Sequence, residues 1–183
     1  MSGGSPLIPP STPLFIPSHS SFMSGGGLRC ANASASAAVS TWTANLAIFI
    51  PFHLPWPYLV KRLFWLNGST ITTTNVDIGI YTPSGIRIVS SGSTAMANAS
   101  TLQYADITDV QLGAGSYYLG WTCSSTTSRA FTTTLAAADG RANGLLEMAS
   151  ALPLPATATF AAYGTTAAAG MPFCGITRTA SGF

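Results

Sequence analysis

Side chains able to do acid–base, nucleophilic or metal chemistry are few in this chain, and they are scattered. The 183 residues include two histidines and three cysteines. His19 lies among serines and prolines, and His53 lies in the proline-rich stretch 51–55. Neither histidine has a cysteine or carboxylate at metal-ligand spacing, so we interpret both as packed or solvated residues.

The cysteines and carboxylates support the same interpretation. The cysteines match no zinc or redox motif, and buried free thiols are their expected state in a protein that folds in a reducing cytoplasm. They are Cys30, Cys123 and Cys174. Asp106 and Asp109 are the only close pair among five acidic residues. A glycosidase needs two facing carboxylates and a calcium site needs further oxygen ligands, so we interpret Asp109 as a turn cap at a strand end.

The sequence also lacks a phosphate-binding glycine loop, a G-x-S-x-G nucleophile motif and an H-E-x-x-H zinc motif. We therefore predict that the protein is not an enzyme and has no catalytic, cofactor-binding or metal-binding residues. The basic residues do not cluster into a stripe, which argues against nucleic-acid binding. They are Arg29, Lys61, Arg62, Arg87, Arg129, Arg141 and Arg178.

The composition is unusually poor in charge. Charged residues make up 7 % of the chain, hydrophobic residues 47 %, and the mean hydropathy is +0.37, whereas an ordinary soluble domain has roughly 25 % charged residues. Such a surface offers little charge repulsion between copies. We interpret this as a surface largely covered by neighbouring subunits, with a neutral, threonine-rich extracellular surface as the alternative.

No membrane span or secretory signal is predicted. The longest apolar stretch, residues 44–60, is interrupted by Pro51, Pro55 and Pro57, and proline breaks a spanning helix. The first residues lack a basic segment, and prolines interrupt any apolar core there.

From Trp42 onward the sequence is typical of β-structure, with short runs of β-branched and aromatic residues separated by turn residues. The predicted strands are 45–50, 58–66, 75–81, 86–90, 102–107, 116–123 and 129–134, with possible closing strands at 156–163 and 171–177. Residues 136–149 are expected to form a loop with at most two helical turns, because Gly140 and Gly144 weaken a helix.

This pattern predicts an all-β fold: an antiparallel two-sheet β-sandwich, jelly-roll-like, with an extended proline-rich N-terminal arm. The arm comprises residues 1–27 and the sandwich residues 28–183. Prolines forbid a helix in the arm, and apolar residues between them suggest docking on a neighbour or a host shell, with an untethered terminus as the alternative. The predicted docking residues are Leu7, Ile8, Leu14, Phe15 and Ile16.

Aromatic side chains could form a platform for a carbohydrate. Of the candidates Trp42, Trp56, Trp65 and Trp121, the last two are more simply explained as core residues. Tyr81 and Tyr118 lie on the outward faces of their predicted strands. We expect this pair to contact a sugar, another subunit or a loop.

Two stretches resemble a module found in small structural proteins of tailed bacteriophages. Residues 75–94 read NVDIGIYTPSGIRIVSSGST and residues 106–121 read DITDVQLGAGSYYLGW. The resemblance covers roughly residues 58–134, and its motifs are those of hairpins rather than of catalysis. It implies a β-sandwich at the virion surface, assembled in the host cytoplasm, as a capsid decoration or cement subunit, a head fibre or a tail-tip component.

Two functions follow as expectations. The first is a decoration or cement subunit, anchored by its arm to the major capsid protein or to tail proteins. The second is a receptor-binding or glycan-binding module of a tail fibre or tail tip. In both cases we expect a homo-oligomer, a trimer or a dimer.

Overall fold

The computed structural model describes residues 14–15, 43–71, 74–126, 132–134, 136–149, 151–164 and 170–178. These ranges form thirteen β-strands and one short helix, α1 (Ala137–Ala142). The strands are β1 (Leu14–Phe15), β2 (Ala47–Leu54), β3 (Tyr58–Leu66), β4 (Asn75–Tyr81), β5 (Arg87–Ser90), β6 (Thr94–Ala95), β7 (Leu102–Leu112), β8 (Gly115–Cys123), β9 (Thr132–Thr134), β10 (Leu146–Met148), β11 (Ala161–Ala162), β12 (Gly170–Pro172) and β13 (Cys174–Thr177). No helix in these ranges is long and apolar enough to cross a membrane.

The strands form two antiparallel sheets that pack face to face. The four-stranded sheet has the order β1-β13-β3-β7, and the seven-stranded sheet has the order β11-β10-β2-β8-β4-β5, with β6 paired to β4. A separate two-stranded ribbon joins β12 and β9. The predicted all-β, two-sheet sandwich is therefore confirmed.

The strand order is that of a jelly roll. Eight strands taken in chain order (β1, β2, β3, β4, β5, β7, β8 and β13) divide into two groups of four. The four-stranded sheet contains, in spatial order, the first, eighth, third and sixth of these strands. The seven-stranded sheet contains, side by side, the second, seventh, fourth and fifth. This interleaving results from two Greek keys wound together. Because most strands pair with partners distant in the chain, the sandwich needs both halves of the sequence to close.

The core lies between the two sheets and follows the two-residue period of the strands. Trp65 of β3 and Trp121 of β8 are fully buried there, among inward-facing aliphatic side chains of both sheets. These aliphatic residues include Ile48, Ile50, Leu63, Ile78, Ile80, Leu119 and Ile176. Each fully buried side chain of this size contributes about 1.5–3 kcal/mol to folding.

The predicted strand 58–66 is confirmed as β3, which lies between β13 and β7. Other boundaries differ from the prediction. β2 continues beyond Ile50 through Pro51 to Leu54, where a link was expected. A proline is tolerated there because β10 pairs only with residues 47–49, so the ladder between β10 and β2 requires no amide hydrogen at position 51.

β7 extends to Leu112 instead of ending at Ile107, because a bulge opposite β3 lets the strand resume pairing at Val110. Near the C-terminus, the predicted strand 156–163 is reduced to β11, and the predicted strand 171–177 is divided into β12 and β13. Helix α1 has six residues, which agrees with the expected limit of two turns.

Gly120 of β8 provides a test of the packing on the outer face of the seven-stranded sheet. A Cβ atom at this position would lie 2.9 Å from Cε1 of Phe49 and 3.2 Å from Cε2 of Tyr81, both of which are fully buried rings. We expect Gly120→Ala to lower the free energy of unfolding by about 1–3 kcal/mol through overpacking, measured by urea denaturation.

The matched control is Gly113→Ala in the exposed β7–β8 loop, where the nearest atom would be the Tyr117 hydroxyl at 3.9 Å. This variant should stay within about 0.5 kcal/mol of the wild type. Equal stability of the two variants would contradict the packing described here.

Candidate functional site

A loop of the same chain covers part of the outer face of the seven-stranded sheet. This cover loop, residues 151–158, is pinned by main-chain hydrogen bonds along its length. The amide of Ala151 donates to Asn45 O over 2.7 Å, and the amide of Ala158 donates to Gly85 O over 2.8 Å. Between them, the amide of Arg87 donates to Ala156 O over 2.9 Å. The loop therefore belongs to the folded body of the sandwich.

Aromatic rings form a second apolar cluster beneath and beside the cover loop. Phe49 meets Tyr81 edge-on, with 5.2 Å between ring centroids, and meets Phe160 at 4.9 Å. Tyr118 contacts Phe160 at 5.0 Å. Leu154 of the cover loop is buried in the same cluster. The outer face of this sheet is thus partly apolar, and the chain itself buries that part.

The structure brings Tyr81 and Tyr118 together, since they are directly opposed across β4 and β8. Tyr81 is fully buried, however, and its hydroxyl donates to Pro155 O over 2.7 Å. Burial raises the pKa of Tyr81 well above its ordinary value. Tyr81 therefore has no exposed surface for a sugar or another subunit, and it contacts a loop of its own chain. Tyr118 is half-buried.

Asp77 is a fully buried carboxylate that fastens the cover loop to the sheet. Its Oδ2 accepts the amide of Leu154 over 2.9 Å, and its Oδ1 accepts the hydroxyl of Ser91 over 3.2 Å. The guanidinium of Arg87 donates to the carbonyl of Leu154 from the other side. Burial raises the pKa of Asp77 above its ordinary value, although these hydrogen bonds and Arg87 oppose that shift. We assign Asp77 a structural role.

Glu147 of β10 is the second buried carboxylate. Its Oε2 accepts the amide of Gly164 over 2.8 Å. The neighbouring Tyr163 hydroxyl donates to Gly170 O over 3.3 Å, and burial, with a smaller contribution from Glu147, raises the pKa of Tyr163 to about 12. A tyrosine with this pKa stays neutral at physiological pH. Through these two hydrogen bonds, Glu147 and Tyr163 hold the main chain at Gly164 and Gly170 in place.

The interpretation of Asp109 as a turn cap is wrong. Asp109 and Asp106 both lie within β7, and each forms an ion pair with β3: Asp109 with Lys61 at 3.0 Å, and Asp106 with Arg62. The bulge in β7 sets this pairing. Within the described residues, no group of three or more histidines, cysteines or carboxylates could hold a metal ion. Cys123 and Cys174 are buried thiols that form no disulfide, whereas Cys30 lies outside those residues.

Three loops lie toward the same end of the sandwich, and we call residues 55–57, 82–86 and 113–114 the loop end. Leu54 is opposite Gly115, whereas Tyr81 is opposite Tyr118, so β4 ends three residues short of the level at which β2 ends and β8 begins. The two large hydrophobic side chains that are exposed in the described chain both lie here. They are Trp56, 54 % exposed, and Ile86, 49 % exposed.

Polar side chains lie on the strand that leads into the Trp56 loop and on its partner strand. His53 and Ser116 are exposed neighbours on β2 and β8, with 3.2 Å between Nδ1 and Oγ. The Tyr117 hydroxyl donates to Gly113 O over 3.1 Å and restrains the β7–β8 loop. The loop end and its flanking stretches 51–58 and 111–118 contain no Asp, Glu, Lys or Arg. This end of the sandwich therefore combines an exposed aromatic ring with exposed hydrogen-bonding groups.

Two of the five predicted arm residues are described. Leu14 and Phe15 form β1, whose backbone pairs with Thr177 and Ile176 of β13 at the edge of the four-stranded sheet. This part of the arm thus lies on the sandwich of its own chain. Leu7, Ile8 and Ile16 lie outside the described residues, as does Trp42.

Sequence reasoning named Trp56 as a candidate but did not separate it from Trp42. The structure buries Trp65 and Trp121 completely, as predicted, and leaves Trp56 exposed. The available signal was the pair of flanking prolines, because a Pro-Trp-Pro sequence favours an extended loop over a paired strand.

Substitutions of Asp77 test its role as a fastener. Asp77→Ala removes the acceptor for the buried Leu154 amide, and we expect the free energy of unfolding to fall by about 1–3 kcal/mol. Asp77→Asn keeps an acceptor for that amide and removes the buried charge, so it should be at least as stable as the wild type near pH 7.

The pH dependence gives a second readout from the same proteins. Because the folded-state pKa of Asp77 is raised, the folded form holds its proton longer than the unfolded form. The stability of the wild type relative to Asp77→Asn should therefore fall as pH rises through the unfolded carboxyl's pKa of about 4, and then level off above the folded-state pKa. Urea denaturation between pH 3 and 8 measures this difference, and a rise with pH would refute the assignment.

Comparison of the chain with protein-family models, with curated proteins and with solved structures finds no match. The family resemblance and the function accordingly remain proposals, which depend on the residues described above.

Proposed function

We propose that this chain is a non-enzymatic structural subunit of a phage virion, a capsid decoration or cement protein anchored by its N-terminal arm. The observation that carries the proposal is a jelly-roll sandwich in a chain with only 7 % charged residues. Jelly rolls are frequent in viral capsid proteins and in lectins. The phage-like stretches identified in the sequence favour the first of these.

The free charge at the surface is lower still than the composition implies. Of the five acidic side chains, Asp77 and Glu147 are buried, and Asp106 and Asp109 are ion-paired with Arg62 and Lys61. In the described part of the chain, this leaves Asp139 as the acidic side chain that is neither buried nor ion-paired. With a net charge of only +2, copies of the protein repel one another weakly, which favours dense packing on a lattice.

Many weak contacts suffice for such a subunit. The mechanism is burial of apolar surface and main-chain hydrogen bonding at each site, repeated over the shell, so that contacts of modest strength become firm through multivalency. In this proposal, the arm residues Leu7 and Ile8 dock on the major capsid protein or on a tail protein. β1 holds the segment that follows them against the sandwich.

A pair of arm variants tests this proposal in particles purified from the host that carries the gene. Leu7→Ser/Ile8→Ser removes two apolar side chains and leaves β1 intact. We expect a folded protein whose incorporation into particles falls at least about tenfold, the factor that corresponds to a loss of 1.4 kcal/mol in binding. Quantitative mass spectrometry of gradient-purified particles gives the measurement.

The matched control, Ser5→Ala/Ser11→Ala, changes two polar residues of the same arm and should incorporate normally. Absence of the wild-type protein from particles would overturn the virion assignment. Normal incorporation of the Leu7→Ser/Ile8→Ser variant would overturn the docking arm alone. The copy number per particle separates a head location, with many copies, from a tail location, with few.

A further inference from the structure

The Trp56 side chain is exposed to solvent, and the packing of the sandwich does not require this exposure. Its side chain is 54 % exposed, while Trp65 and Trp121 are fully buried. Large aromatic side chains contribute most to stability or binding when they are buried. The exposed surface of Trp56 is therefore available to be buried by a ligand. None of the described core contacts depends on this ring, since Trp56 belongs to neither apolar cluster.

The backbone around Trp56 has few accessible conformations even without a ligand. Pro55 and Pro57 each have a fixed φ angle, and a residue that precedes proline is confined to extended conformations. β2 and β3 hold the two ends of this three-residue loop, and the strands lie in different sheets of the sandwich. Binding to such a loop loses little conformational entropy.

Hydrogen-bonding groups lie on the strand that leads into this loop and on its partner strand. His53, the second-last residue of β2, and Ser116 of β8 are both exposed and within 3.2 Å of each other. Half-buried Tyr118 lies two residues beyond Ser116, on the same face of β8. These side chains can donate to and accept from hydroxyl groups. No Asp, Glu, Lys or Arg belongs to the loop end itself. The guanidinium of Arg178 lies over the ring of Tyr58, 5.6 Å from its centroid.

We propose that Trp56, His53 and Ser116 form a binding site for a neutral saccharide. The face of the indole ring carries partial negative charge, and the C–H groups on one face of a pyranose ring are complementary to it. His53 and Ser116 bond the sugar hydroxyls at the rim of the stack. The site does not depend on the proposed virion function, and a saccharide site could serve a subunit of either the head or the tail.

The position of Ile86 distinguishes a saccharide site from a protein-docking surface. β2, which leads into the Trp56 loop, and β5, which follows Ile86, are separated by three strand spacings, or about 14 Å. A protein that covered the whole loop end would bury both side chains. A sugar stacked on Trp56 needs only Trp56.

The experiment uses the full-length protein and a panel of soluble oligosaccharides: maltohexaose, chitohexaose and mannohexaose as neutral probes, and sialyllactose as an acidic probe. Saturation-transfer NMR and calorimetry measure binding. We expect at least one neutral probe to bind and the acidic probe not to bind. Trp56→Ala should weaken binding at least about tenfold, Trp56→Phe should retain part of the affinity, and Ile86→Ser should leave it unchanged within about twofold.

Thermal unfolding of each variant checks that the fold is intact, and the exposure of Trp56 predicts small changes. The proposal is overturned if no neutral probe binds the wild type, or if Trp56→Ala binds as well as the wild type. Loss of particle incorporation in both Trp56→Ala and Ile86→Ser, without saccharide binding, would instead identify the loop end as a protein-docking surface. Because saccharide binding is measured on the isolated protein, its failure is distinct from failure of the virion assignment.

Discussion

Apolar side chains on both faces of the seven-stranded sheet are removed from water, and the rest of the structure depends on how each face is covered. The inner face packs on the four-stranded sheet around Trp65 and Trp121. Part of the outer face packs under the cover loop around Phe49 and Tyr81. This chain has few charged residues to place on an exposed sheet, so covering part of that face with its own chain removes an apolar surface that would otherwise promote association.

Covering the outer face creates a second requirement. The cover loop has no regular ladder of strand hydrogen bonds, but its buried amides and carbonyls must still be hydrogen-bonded. Main-chain bonds to β5 and to the loop before it satisfy part of this need, and Asp77 and Arg87 satisfy the Leu154 amide and carbonyl. Asp77 and Arg87 thus have structural roles. Asp106 and Asp109 likewise join β7 to β3 beside the bulge.

In the described part of the chain, what remains for interaction is a surface with little charge, whose two exposed large hydrophobic side chains lie toward one end. The proposed subunit contacts and the proposed saccharide site draw on different parts of it: the arm, which begins before β1, and the loop end, which carries Trp56. A jelly roll suits this division, because its sheets form a rigid body while loops at its ends vary without disturbing the core.

The sequence by itself determined the fold class and most strands, because alternating apolar residues and turn residues are local signals. β3 and β4 match their predicted bounds. The sequence did not predict that Asp109 lies within β7, because a β-bulge depends on the partner strand. Only the tertiary structure decided that Tyr81 is buried while Trp56 is exposed. The burial of Tyr81 and the exposure of Trp56 depend on which distant segment packs above each residue. Strand periodicity carries no information about a cover loop some seventy residues further along the chain.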